Sequence, residues 1–341
     1  MSSDYGYINA RVRGMKAKLL GSSFYQAALD ATDFRAFTAS LAQTPYMREL
    51  EEAQARGSGL GAVDQAVARN VYHTAHGLLT FADGRPRELI GMLLMRFDLA
   101  NVKAIARGKH AGKSLEEIQG SLFPAGELKP TLLDQAAVAS DMSAAAQVLA
   151  IAHTEVTTAF LKAARRYQND LDLYALEVSL DQAYYAAVLS RADAAHAPAG
   201  LKRYLQREID GTNLRTALKV RGVGAQAAAE LFVPGGREIK RSAFDAIVND
   251  TDGSALAALA GGTFAAAAAA AAGGSLSDAD AEIRKVLDAD AHRLSLDPLD
   301  IGVVVDYLRR KEAEAAHLRL LARGKFYGVP REALEKELAH A

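Results

Sequence analysis

A motif recurs three times along this chain at long, nearly equal intervals. Ala106-Arg107-Gly108-Lys109-His110-Ala111-Gly112 aligns without a gap on Ala322-Arg323-Gly324-Lys325-Phe326-Tyr327-Gly328. Read backwards, the register holds: Asp98, Asn101 and Lys103 fall opposite Glu314, His317 and Arg319. A third copy lies between them, marked by Asp210, Asn213, Arg215, Lys219, Arg221 and Gly224. The acid that opens each copy recurs after 112 and then 104 residues. That period is too long for a solenoid repeat and matches a small domain. The expected organisation is three related modules cut near residues 113 and 225, covering 1–113, 114–225 and 226–341. A motif repeated three times points to a scaffold before it points to an enzyme.

Composition narrows the class further. Half of the 341 residues are hydrophobic, 24% are charged, and the formal net charge is −1. No global basic excess argues for nucleic acid. The absence of cysteine excludes a disulfide framework, a thiolate metal site and a thiol nucleophile. The opening stretch MSSDYGYINARVRG has neither the apolar core of a signal peptide nor a twin-arginine pair. Residues 253–277 carry no charge and are long enough to span a bilayer. They are mostly Ala, Gly, Ser and Thr, which supply little transfer energy. The expectation is a surface excursion with a short helix over 265–272, and no transmembrane span.

Helical periodicity dominates, strand-like alternation is scarce, and the eight prolines fall mostly where helices begin or end. The fold class is all-α. Within 88–107 an apolar stripe runs through Ile90, Leu94, Phe97, Ala104 and Ile105, and Asn101 lies on that stripe. Each copy sets an acid three residues before an amide or imidazole: Asp98 and Asn101, Asp210 and Asn213, Glu314 and His317. Such pairs, partly buried on one helix face, are read as packing locks that demand polar partners. Leu122-Phe123-Pro124-Ala125-Gly126 resembles Leu231-Phe232-Val233-Pro234-Gly235-Gly236, and each reads as a helix stop, a turn and a new start.

The basic residues Lys103, Arg107, Arg215, Lys219, Arg319 and Arg323 cluster toward helix C-termini, where cations offset the macrodipole. Beyond that role they are candidates for a surface that meets an acidic protein or lipid headgroups. Aromatics do not interleave with them, so nucleic acid is not the expected partner. His73-x-x-His76 sets two imidazoles one turn apart without a visible third ligand. Gly222-x-Gly224 lacks a preceding strand and a Gly-Lys-Ser/Thr ending, and no Gly-x-Ser-x-Gly nucleophile motif occurs. No catalytic residue, cofactor or metal site is expected.

Tyr5-Gly6-Tyr7-Ile8-Asn9-Ala10-Arg11-Val12-Arg13, with Leu19-Leu20 beyond it, resembles the opening of the C subunit of V/A-type rotary ATPases, the relative of the vacuolar d subunit. The resemblance continues in order through Thr44-Pro45-Tyr46, Leu93-Leu94-x-Arg96-x-Asp98-x-x-Asn101 and Glu208-x-Asp210-x-x-Asn213-Leu214-Arg215-Thr216-Ala217. It runs on through Asp297-Pro298-Leu299 and Leu318-Arg319-Leu320-Leu321-Ala322-Arg323-Gly324 to Gly328-Val329-Pro330. Residues 255–274 look like a local departure from it. The resemblance implies an all-helical funnel of three similar modules with pseudo-threefold symmetry. It implies a non-catalytic rotor component that receives the central shaft, built of the D and F subunits. That component sits on the proteolipid ring at the cytoplasmic face of the membrane and links rotation to proton (or sodium) transport. Two other readings compete: a helical-repeat scaffold for some other protein, and a metal-dependent helical hydrolase using His73, His76 and a carboxylate.

Overall fold

A computed structural model describes residues 5–340, so residues 1–4 of the opening stretch lie outside the described residues. Among the described residues the chain is all-α, with eighteen α-helices, one 3-10 turn (Ala229–Leu231) and no strand. Helix α1 (Tyr5–Lys16) leads into α2 (Ser22–Asp30), α3 (Phe34–Leu41), α4 (Met47–Gln54) and the long pair α5 (Leu60–Thr80) and α6 (Gly84–His110). After the short α7 (Leu115–Gln119) the series begins again. It runs through α8 (Pro130–Val138), α9 (Met142–Ala150), α10 (Glu155–Asp170) and a second long pair, α11 (Leu173–Ala194) and α12 (Ala199–Lys219). The third run is α13 (Arg241–Val248), α14 (Ser254–Ala257), α15 (Ala265–Ala272) and the long pair α16 (Leu276–Leu294) and α17 (Gly302–Phe326), with α18 (Arg331–His340) last.

Similar sequence devices start similar helices. Asp33 and Asp141 cap α3 and α9, each carboxylate accepting the backbone N–H three residues on at 2.8 Å. Asp172 and Ser275 cap α11 and α16 in the same way. Pro130 opens α8, where a missing N–H costs nothing.

The long helices pack in a cycle. Helix α6 lies along α11, α12 lies along α16, and α17 lies along α5. Since α5, α11 and α16 are each the penultimate long helix of a run, the last long helix of every run packs on the next run, and the third returns to the first. The N-terminal helices therefore give α17 what the second run gives α6. The apolar interior forms two clusters. The larger extends from α1 to the first half of α12 and takes in α17 and Leu334 of α18. The smaller gathers Leu214, Phe244, Phe264 and Ile283 beneath α13–α16.

The alanine-rich stretch forms its helix over Ala265–Ala272, as its propensity predicts. It is not a surface excursion. Ala267, Ala268 and Ala271 are buried in the smaller cluster, and α15 packs along α16. Methyl side chains let two helices approach closely, which an amphipathicity reading misses because the segment has no polar face. No helix among the described residues is long and apolar enough to cross a membrane.

Candidate functional site

The three motif-bearing helices α6, α12 and α17 make the same contacts with different partners. On α6, Asp98 accepts the backbone N–H of Glu127 and Leu128 at 2.8 and 3.0 Å. Asn101 grips Phe123 at both of its backbone groups, each at 2.7 Å. On α12, Asp210 accepts the N–H groups of Arg237, Glu238 and Ile239, each at 3.0 Å. Asn213 holds Val233 at both backbone groups, each at 2.8 Å. On α17, Glu314 accepts from Leu20 N–H at 2.6 Å and from the Tyr46 hydroxyl at 2.8 Å, while His317 meets the ring of Tyr25 edge-on. The acid and its companion are packing locks, as their spacing suggests, but they bind the following loop rather than each other. In the third copy the chain's own beginning takes the place of that loop.

The glycine of each Phe-Pro-Gly stretch exists for this grip. A Cβ at Gly126 would stand 2.2 Å from Asp98 Oδ1, and one at Gly236 would stand 2.1 Å from Asp210 Oδ1. Burial pushes the Asp98 carboxyl up to about 7, against the opposing pull of its backbone donors. Burial also raises Asp210.

A second equivalence lies at the helix ends. Lys109 donates to the carbonyls of Ala137 and Ala139 at the C-terminus of α8, and Arg221 donates to Asp250 O just past α13. Lys325 donates to Leu29 O and Ala31 O at the C-terminus of α2. These cations satisfy carbonyls that a helix end leaves open.

The six basic residues singled out in the sequence divide into two sets of three. Lys103, Arg215 and Arg319, at one repeat position, turn inward to a carboxylate on the neighbouring long helix. Lys103 meets Asp181 at 2.6 Å, Arg215 meets Asp280 at 2.7 Å, and Arg319 meets Asp64 at 3.4 Å. Arg319 also donates to Ser121 O and Leu122 O and lies 3.5 Å over the Phe123 ring. Its desolvation brings its basicity down to about 10 despite Asp64. Arg107, Lys219 and Arg323, four residues further on, lie nearer the surface. Arg107 pairs with Glu177 and Arg323 with Asp64, yet their side chains stay 59% and 40% exposed, and Lys219 is exposed.

The repeat also assembles a centre that sequence reasoning left without a role. Arg96, Glu208 and Glu312 each stand two residues before the acid of their copy. Arg96 donates to Glu208 at 3.1 Å and to Glu312 at 3.4 Å. Tyr204 donates to Glu208 at 2.8 Å, and Arg309 approaches the same carboxylate at 3.7 Å. Two arginines and two glutamates meet beside a cavity of about 380 Å³ that Tyr184 and Tyr185 also line, and Arg309 pairs in addition with Asp288 at 2.7 Å. The available signal was the shared offset from a repeated residue, joined to opposite charges.

The two histidines do not assemble a site. His73 Nδ1 pairs with Glu49 at 3.0 Å, whereas His76 stacks on Tyr72. Among the described residues no three His, Asp or Glu side chains come together as metal ligands.

Ion pairs between the long helices tie this all-helical chain together, as Lys103 to Asp181, Arg215 to Asp280 and Arg96 to Glu208 show. Residues 8–337 match the model of the ATP synthase (C/AC39) subunit family. The chain is 37% identical over 343 residues to the V-type ATP synthase C subunit of Deinococcus radiodurans, covering 99% of this chain and 92% of that one. It is 36% identical to the V-type ATP synthase C subunit of Thermus thermophilus, with 99% of both chains covered. The A-type ATP synthase C subunit of Haloferax volcanii is 27% identical, over 97% of this chain and 96% of its own. The chain belongs to the ATP synthase C/AC39 subunit family.

Proposed function

We propose that this chain is the non-catalytic coupling component of a V/A-type rotary ATP synthase, working at the cytoplasmic face of the membrane. In this reading it joins the shaft of the D and F subunits to the proteolipid ring. It thereby links proton or sodium transport to ATP synthesis or hydrolysis. The observation that carries the reading is the cyclic packing of α6, α12 and α17 around the centre of Arg96, Glu208 and Glu312. It supports three modules, bounded near 113 and 225, in a pseudo-threefold funnel. A torque adaptor has to resist deformation, and close-packed helices tied by buried ion pairs do so. The inner set of Lys103, Arg215 and Arg319 serves that stiffness. We assign partner contact to the exposed set of Arg107, Lys219 and Arg323, whose placement suits an acidic surface.

The test is co-elution and calorimetry of the purified chain with the D–F shaft and with the detergent-solubilised ring. The expected result is a one-to-one complex with the shaft, weakened at least tenfold by joint charge reversal of Arg107, Lys219 and Arg323. Failure of the folded chain to bind either partner overturns the coupling role. Full binding by a folded triple variant overturns the assignment to the exposed set.

A further inference from the structure

A cleft of about 570 Å³ opens between α1, α5 and α17, lined among others by Arg11, Lys18, Asn70, His73, Phe81 and Lys311. Among the described residues no carboxylate lines it. Arg11 lies with its guanidinium 4.3 Å over the face of Phe81. Stacking of that kind uses the flat face of the guanidinium and leaves its in-plane N–H donors available. Among the described residues no side-chain hydrogen bond or ion pair engages Arg11 or Lys18, and the same holds for the Asn70 amide. His73 engages Glu49 through Nδ1, which leaves Nε2 unengaged. Lys311 gives two of its three N–H groups to Tyr46 and Glu314.

Glu314 neutralises Lys311, and Glu49 stands behind His73. Among the described residues, no carboxylate pairs with Arg11 or Lys18. Elsewhere the motif's arginines find carboxylates, as Arg107 finds Glu177 and Arg215 finds Asp280.

We infer that this cleft binds a phosphate group, with Arg11 and Lys18 supplying the charge and Asn70 and Lys311 further hydrogen bonds. Donors reach the cleft from three helices and so from several directions, which suits a tetrahedral anion with many acceptor oxygens better than a planar carboxylate. The volume exceeds what one phosphate fills, and Met15, Leu19 and Phe81 give an apolar wall for the rest of an ester. The occupied site would bridge α1 to α5 and α17 beside the Leu20–Glu314 contact, bracing the closure of the cycle. The inference does not rest on the coupling role.

The source of the phosphate is separated by three probes titrated calorimetrically into the purified full chain at low salt. These are inorganic phosphate, ADP, and phosphatidylglycerol vesicles set against phosphatidylcholine vesicles. Binding of phosphate or ADP assigns a soluble ligand, and binding of the anionic vesicles alone assigns a lipid headgroup. In either case Arg11→Gln with Lys18→Gln should weaken binding at least tenfold. Arg13→Gln, on the same helix but outside the cleft, should leave it unchanged. Circular dichroism checks that each variant keeps its helices. The inference is overturned if no probe binds at millimolar concentration. It is equally overturned if the double variant binds as tightly as the parent chain.

Discussion

Arg96 donates to Glu208 across 3.1 Å, and the two residues hold the same place in consecutive copies of the repeat. Glu312, the third occupant of that place, accepts from the same guanidinium. Equivalent residues of a repeated helix come face to face only where the copies converge. One change of charge among three copies turns a like-charge clash into a clamp. Arg96 and Glu208 keep side-chain exposures of only 12% and 9%, so the clamp works with little help from solvent.

Removing Arg96 leaves two glutamates facing each other without the guanidinium between them. Breaking one side of a buried ion pair costs about 3–5 kcal/mol. Because Glu312 is partly open to solvent, Arg96→Met should fall at the lower end, near 3 kcal/mol of unfolding free energy. Urea unfolding followed by helicity measures it. Adding Glu312→Gln should recover most of that loss, because Arg309 and Tyr204 still serve Glu208 and the unpaired charge is removed.

Lys109 and Lys325 provide a comparison of local against distant contacts. Lys109 caps a helix end 28 residues away, and Lys325 caps one 296 residues away. A hydrogen bond from a charged donor contributes about 1.5–3 kcal/mol. Lys109→Met and Lys325→Met should therefore cost similar amounts, each about 1.5 kcal/mol. A cost confined to Lys109→Met would show that the N-terminal helices do not close the cycle in solution.

Close approach at Gly126 and Gly236 gives a prediction of size and sign. An added methyl would drive each loop off the carboxylate that holds it, so Gly126→Ala and Gly236→Ala should each cost about 1–3 kcal/mol, as overpacking does. Gly91 lies inside α6 with open space around a built Cβ. Gly91→Ala should act the opposite way, stabilising by up to about 1 kcal/mol through helix propensity. Thermal unfolding of the three variants beside the parent tests all of these signs.

The all-α class was legible because long runs of good helix formers between well-placed prolines leave no room for another choice. The locking role of Asp98 with Asn101 was legible as well, since an acid and an amide on an apolar stripe need partners. Their partners were not legible. The carboxylates that receive Lys103, Arg215 and Arg319 lie on α11, α16 and α5, and which helix packs on which is decided by the cycle. The Arg96 centre was hidden for the same reason: its members are 112 and 104 residues apart, and only the converged fold makes them neighbours. At Gly108 and Gly324 the reason for glycine also appears only in three dimensions. There Ile118 and Leu334 press on the helix where a Cβ would stand.

Asp98 sets burial against hydrogen bonding, and pH decides between them. Burial raises its carboxyl from the ordinary 3.8 to about 7, while two backbone N–H donors favour the ionised form. With burial dominant, the folded chain keeps a proton on Asp98 between about pH 4 and 7 that the unfolded chain releases. The folded state then binds more protons in that window, so this group's contribution to stability declines as pH rises through it. Asp98→Asn removes the titration and keeps the shape, though its amide accepts only one of the two N–H groups well. The parent's advantage over Asp98→Asn should therefore shrink from pH 5 to pH 7 and level off above it, in urea unfolding measured at each pH. The reverse trend would mean that the Glu127 and Leu128 donors overcome desolvation and hold Asp98 ionised. The lock on this loop would then be a charged one.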